Sequence, residues 1–163
     1  MKRILLLVVL AAYVVCGFAQ DFSNLNSISL DDSIACKKAE PQVLACANYL
    51  LARPFESNLN NLNAIKFIMS WMEKTSNFSF TLDEKQMSLV KSDDKLLTPL
   101  MSCQAATAIN LQPKACDKEF QYNYIKLFLE YCEKPASEVK LNSKLKKLIA
   151  AKNDNTLREA FEK

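Results

Sequence analysis

Few residues in this chain have the types and spacing to do chemistry, and each group of them has a structural competitor. Five cysteines follow the first twenty residues: Cys36, Cys46, Cys103, Cys116 and Cys132. A cysteine nucleophile is normally activated by a neighbouring base, and the chain contains no histidine. The remaining route to a thiolate is a lowered pKa at a helix start. Cys116 fits that route, three residues into a helix expected from Pro113, but it also lies on the apolar stripe of that helix, where core or disulfide use competes. Ser143 and Lys146 match Ser-x-x-Lys, in which the amine serves the hydroxyl as base. Ser143 is equally suited to cap a helix. Asp31/Asp32, Asp83/Glu84 and Asp93/Asp94 pair carboxylates, as a glycosidase does across its cleft. Each pair stands at an expected helix N-terminus, where carboxylates accept free backbone amides and meet the positive end of the helix dipole.

Two absences narrow the field further. The chain has no histidine and one glycine, Gly17. Phosphate-cradling loops and dinucleotide folds need glycine where the ligand approaches the backbone. The Gly-x-Ser-x-Gly elbow, the EF-hand bend and the loops of aspartic proteases need it for their turns. Without imidazole there is no Ser-His or Cys-His pair and no histidine metal site. No Cys-x-x-Cys spacing occurs either, so neither redox nor zinc chemistry is expected, and no cofactor is expected at all.

Lys2 and Arg3 precede an uncharged run from Ile4 to Cys16, and Gly17 and Ala19 place small residues before Gln20. This is the three-part layout of a secretory signal peptide over residues 1–19. The run is 13 residues long, short of the ~17 to 25 that a spanning helix needs, so no stable membrane span is expected after cleavage. Acylation at Cys16 is the second reading, disfavoured by the bulk of Val14 and Val15. The expected location is periplasmic or secreted. From Gln20 onward the charge is nearly balanced, at +1, which argues against nucleic acid as a partner. Residues 136–163 carry +3 and residues 20–135 carry −2; the basic end reads as a solvated helix face.

Export permits disulfides, and five cysteines leave at least one unpaired within the chain. Cys36 and Cys46 lie ten residues apart on an expected helix, roughly 15 Å along its axis, too far to pair. Cys103 and Cys116 flank an expected turn at Pro113 and form the candidate disulfide; closing that loop is worth about 3 kcal/mol in the chain-entropy account.

The elements that must position these groups all read as helices. Residues 20–30 are a loose, flexible lead-in. Asp31, Asp32 or Ser33 caps a helix carrying Ile34, Val43, Leu44, Ala47, Leu50 and Leu51, which Pro41 either kinks or restarts. One of Asn58, Asn60, Asn61 and Asn63 caps a helix to about Lys74, with Leu62, Ile65, Ile68, Met69 and Met72 as its apolar stripe. Thr81 and Glu84 form a capping box for a short helix. Asp93 and Asp94 open a helix to about Asn110, with Pro99 early in it or at a restart. Residues 113–133 carry the clearest stripe: Cys116, Phe120, Tyr124, Leu127, Phe128 and Tyr131. Ser143 caps a further helix, and a last short one carries Leu157 and Phe161. No stretch alternates like a strand. The expected fold is all-α, six to seven helices in a compact antiparallel bundle or a short helix-pair array, as a single domain over 31–163.

The segments LACANYLLARP (44–54), FIMSWMEKTSNFSFTLDEK (67–85) and KLFLEYCEKP (126–135), with a leader ending in Ala-Gln, resemble small exported proteins common in Bacteroidota. The resemblance covers roughly residues 35–152. It implies an all-helical fold and a periplasmic or secreted location. The family has no assigned activity, so it implies no catalytic or binding residue.

Three kinds of function remain. The expectation is a small, non-enzymatic exported protein acting through a protein partner. The alternatives are a carrier of an apolar or lipid-like ligand, suggested by Trp71, its neighbouring methionines and the aromatic stripe from Phe120 to Tyr131, and a periplasmic inhibitor or immunity protein, which rests on class analogy alone. Asn77-Phe78-Ser79 matches the glycosylation triplet, which has meaning only in a eukaryotic host.

Overall fold

Every regular element among the described residues is helical, and most of these helices begin at a side chain that accepts a free amide. The computed structural model describes residues 21–112 and 118–162. The expected signal peptide and the turn holding Pro113 and Cys116 lie outside the described residues. Helix α1 spans Ser33–Leu51, α2 Leu59–Lys74, α3 Glu84–Val90, α4 Leu97–Leu111, α5 Lys118–Glu133, α6 Ser143–Asn153 and α7 Leu157–Glu162. Single 3-10 turns occupy Leu25–Ser27, Asp94–Leu96 and Pro135–Ser137. The protein is all-α.

The caps follow from local chemistry. Asp32 accepts the Ala35 amide at 2.7 Å and Asn58 accepts the Asn61 amide at 2.9 Å, one hydrogen bond into each of α1 and α2. Two expectations shift by one or two residues. The capping box of α3 is made by Asp83 and Gln86, not by Thr81 and Glu84. Asn142, not Ser143, caps α6, accepting the Leu145 amide at 2.8 Å. In each case another side chain able to accept a free amide stood within two positions and took the cap. Pro41 sits inside a continuous α1 rather than restarting it; the helix gives up the bond that its amide would have made to the Lys37 carbonyl.

Helix α4 is the centre of the packing. It lies against α1, α2 and α5, while α6 and α7 pack on α5 and α3 touches α6. Its residues from Ser102 to Ala108 are buried without a break, as expected of a helix enclosed on all sides. Ala105, Ala106 and Ala108 are small enough to let its neighbours approach closely. The α5 stripe was legible in the sequence: Phe120, Tyr124, Phe128 and Tyr131 are buried. The lead-in, expected to be loose, packs onto the core instead. Phe22, Leu25 and Leu30 are buried, and the Phe22 ring meets Tyr49 edge-on at 4.8 Å.

Polar side chains fasten the helix ends to one another. Lys134 Nζ donates to the Leu51 carbonyl at 2.9 Å, satisfying an acceptor at the end of α1. Lys152 and Asn153 of α6 both reach the Glu133 carboxylate. Arg158 pairs with Glu119 at 2.6 Å and covers the Tyr122 ring at 4.1 Å. Asn142 does two tasks at once. Its Oδ1 caps α6, and its Nδ2 donates to the Ser88 and Leu89 carbonyls at 3.2 Å each, at the end of α3. Asn142→Ala is therefore expected to destabilise the fold by about 1–2 kcal/mol. Asn142→Ser, which keeps a capping oxygen and drops the amide donors, is expected to recover part of that loss. Urea unfolding of the two variants measures the split, and an Asn142→Ser chain as stable as the native one would refute the clasp between α3 and α6.

The chain contains no glycine among the described residues, yet three of them take left-handed backbone angles: Gln112 (φ 46°), Glu138 (φ 52°) and Asn155 (φ 59°). A side chain in that region costs about 1–2 kcal/mol relative to the right-handed form. At Gln112 its own side chain supplies compensation. Nε2 donates to the Ile109 carbonyl at 2.8 Å, and Oε1 accepts from Lys37 at 2.7 Å.

Candidate functional site

The residues singled out for chemistry are dispersed by the fold and engaged in structural tasks. Asp32, Asp83 and Asp93, one from each carboxylate pair, cap helical turns. Ser143 and Lys146 are both exposed on the first turn of α6. Cys36, Cys46, Cys103 and Cys132 are free thiols, all buried. Burial pushes all four thiols up, Cys46 and Cys132 to about 12, so at neutral pH they are protonated and weakly nucleophilic. Cys116, the other half of the candidate disulfide with Cys103 and the candidate thiol nucleophile, lies outside the described residues. Among the described residues no group of three or more Cys, Asp or Glu is placed to hold a metal ion, and no helix is long and apolar enough to cross a membrane.

The fold does assemble a Ser/Lys pair that sequence reasoning missed. Lys144 Nζ lies 2.6 Å from Ser88 Oγ, across the contact between α3 and α6. The two residues are 56 positions apart, so no local motif could reveal them. Ser88 also lines a groove of about 570 Å³, together with Glu84, Met87, Val90, Lys91, Asp94 and Leu97. The geometry is nevertheless that of a clasp. Ser88 Oγ donates its proton to the Lys85 carbonyl at 2.5 Å, and the lysine is a donor to the hydroxyl and to the same carbonyl. A nucleophile needs its proton directed at the base and amides aimed at a developing oxyanion. Here the proton points at the backbone, and the nearby Asn142 amide is engaged with the Ser88 and Leu89 carbonyls.

Two further polar clusters are buried. Gln86 Nε2 donates to the Tyr124 hydroxyl at 2.5 Å, and Gln104 Nε2 donates to the Thr81 carbonyl at 3.2 Å. These amides tie α3 and the segment before it to α5 and α4. Burial pushes the Tyr124 hydroxyl up to about 12, with the two glutamine side chains opposing part of that change. Glu40 is buried on α1, where one carboxylate oxygen meets Lys37 at 2.9 Å and Gln112 at 3.3 Å.

The aromatic residues around Trp71 pack against one another. Trp71 is fully buried and donates its indole N–H to the Cys36 carbonyl at 3.0 Å. Its ring lies 5.7 Å from both Phe78 and Phe80, and the chain of contacts runs on through Phe120 to Tyr124.

The feature left over is the outer face of α2. The sequence stripe of that helix is rotated in the structure. Ala64, Phe67, Ile68 and Trp71 are buried, while Leu62 and Met69, expected in the core, are 48% and 49% exposed. Leu59, one turn earlier, is 70% exposed, and Ile65 and Met72 are half-buried. The physical reason is that α2 is apolar on two sides. The face carrying Phe67 and Trp71, with Ala64 and Ile68, took the interior, and Leu59, Leu62 and Met69 were left outside. Leu59, Leu62 and Met69 thus leave apolar surface exposed along one side of the 16-residue helix, edged by Ile65 and Met72, which also pack against the core; exposed apolar surface is where contacts form, and two of the five are adaptable methionines.

No known protein family, curated protein or solved structure matches the chain.

Proposed function

We propose that the chain is a small exported protein without catalytic activity, acting by protein–protein contact in the periplasm or cell envelope, and that the outer face of α2 is its contact surface. The observation that carries the reading is the unburied stripe of Leu59, Leu62 and Met69, edged by Ile65 and Met72. The lack of histidine and the clasp-like geometry of Ser88 and Lys144 support the non-enzymatic half. The aromatic residues that suggested a ligand carrier pack against one another, which favours the contact surface over carriage.

The test is site-specific photo-cross-linking in the producing cell. A photo-reactive phenylalanine analogue at Met69 is expected to give a discrete adduct heavier than the chain. The same analogue at the exposed Lys147 of α6 should give none. Absence of any adduct from position 69 would overturn the assignment of this face.

A further inference from the structure

Helix α2 has a third side, neither buried nor aliphatic. Lys66, Ser70 and Lys74 follow one another there at four-residue intervals. They line a groove of about 410 Å³ whose other wall is the lead-in segment 25–31. Leu25 and Leu30 are buried and hold that wall in place. Small-molecule sites commonly have volumes of about 300–1,000 Å³.

The polar groups already engaged decide what the groove can hold. Ser27 donates to the Asn24 carbonyl at 2.7 Å, and Ser29 donates to the Asp31 carboxylate at 2.8 Å. The ammonium groups of Lys66 and Lys74, both exposed, have no ion-pair partner among the described residues. The half-buried Ser70 hydroxyl has no partner there either, whereas the helical hydroxyls of Ser88 and Ser102 donate to carbonyls one turn back. The uncommitted groups are therefore two ammoniums with a hydroxyl between them, all able to donate. Four residues of helix rise by about 6 Å, so each lysine starts that far from Ser70 along the axis. The flexible stem of lysine closes such a distance.

We propose that this groove binds a phosphate monoester, with the phosphate seated over Ser70 between the two lysines. That group is close to dianionic at neutral pH and carries three strong acceptor oxygens. It matches two cations and three donors, where a carboxylate would answer only one of the cations. Asp31 is the one acid among the lining residues, and two lysines against it leave a net +1. A carboxylate only accepts, so Asp31 suits a hydroxyl of the esterified alcohol. The ester can belong to a soluble sugar phosphate or to a lipid headgroup, with the same chemistry at Ser70.

The purified protein, as its cell processes it, is titrated at low salt with glucose 6-phosphate while its amide signals are followed by NMR. In parallel it is sedimented with phosphatidylcholine vesicles, with and without phosphatidic acid. Glucose 6-phosphate is expected to bind with a Kd of about 0.1–1 mM, weak because the charges are solvated and screened. Glucose should not bind. Lys66→Gln and Lys74→Gln should each weaken binding about tenfold, and Ser70→Ala about threefold. Lys147→Gln, which removes the same charge from the exposed side of α6, should leave binding unchanged. Far-UV circular dichroism checks the fold of each variant. Binding of glucose 6-phosphate supports the site with a soluble ligand, and binding to phosphatidic acid vesicles alone supports it with a headgroup. Binding to neither overturns the proposal. An equal loss from Lys147→Gln also overturns it, since attraction to net charge would then suffice.

Discussion

Raised from neutral pH to pH 12 in its reduced form, the protein is expected to unfold cooperatively, and most of its stability should disappear above pH 9. The cause is a set of acids that folding keeps protonated. Burial moves Tyr124 and Tyr131 from 10.0 up to about 12, and Cys46 and Cys132 from 9.0 up to about 12. Cys103 moves well above its ordinary value in the same direction. The sign follows from linkage. Between pH 9 and pH 12 the unfolded chain releases these protons and the folded chain retains them, so unfolding is favoured as pH rises. Below pH 9 both states hold the protons and nothing is lost. Every tenfold loss of acidity on folding corresponds to about 1.4 kcal/mol, and an ordinary domain has only about 5–15 kcal/mol in all, so several such groups acting in the same direction weigh heavily against the fold. Far-UV circular dichroism against pH, with reductant present, reads the transition. A native spectrum persisting at pH 12 would contradict the burial of these groups.

The second large effect belongs to Trp71→Ala. The indole is fully buried, packs against Phe78 and Phe80, and bonds the Cys36 carbonyl of α1. That carbonyl is next to the Lys37 carbonyl, from which Pro41 removes the helical donor, so the indole docks α2 onto α1 where α1 is weakest. Truncation leaves a cavity at the junction of α1, α2 and the segment before α3. The expected cost is about 3–5 kcal/mol, the usual range for deleting a buried aromatic side chain. Trp71→Phe keeps a ring and loses the hydrogen bond, and its stability should fall between those of the native chain and Trp71→Ala. Because this is the only tryptophan, unfolding of the variants is followed by circular dichroism. A loss below about 1 kcal/mol for Trp71→Ala, far under that range, would mean that the α1–α2 contact does not depend on the indole.

Both predictions rest on burial, and burial was only partly legible beforehand. The α5 stripe could be read because Phe120, Tyr124, Phe128 and Tyr131 recur at four- and three-residue spacing along one side. The α2 stripe could not. Leu62, Ile65, Met69 and Met72 obey the helical period as well as Ala64, Phe67, Ile68 and Trp71 do, and periodicity cannot rank two apolar faces of one helix. The choice came from the partners: the indole finds an acceptor in the Cys36 carbonyl of α1 and ring contacts in Phe78 and Phe80. The Ser88–Lys144 clasp was invisible for a different reason. It depends on which helices touch, and a separation of 56 residues carries no local signal. Ser143 and Lys146, which do have a local signal, stand exposed on α6.

The sequence alone determined what local chemistry determines. The helices follow from periodicity, their starts from Asp and Asn side chains able to accept free amides, and their ends from proline and polar clusters. It also removed whole classes of chemistry through the missing histidine and the near absence of glycine. The tertiary structure decided the rest, because the rest depends on competition between distant parts of the chain. It set the rotation of α2, and with it left Leu59, Leu62 and Met69 outside. It committed hydroxyl, amine and carboxylate groups to holding helix ends. It placed left-handed turns at Gln112, Glu138 and Asn155 without glycine, a conformation that surrounding contacts such as those of Gln112 must stabilise and that residue type alone disfavours.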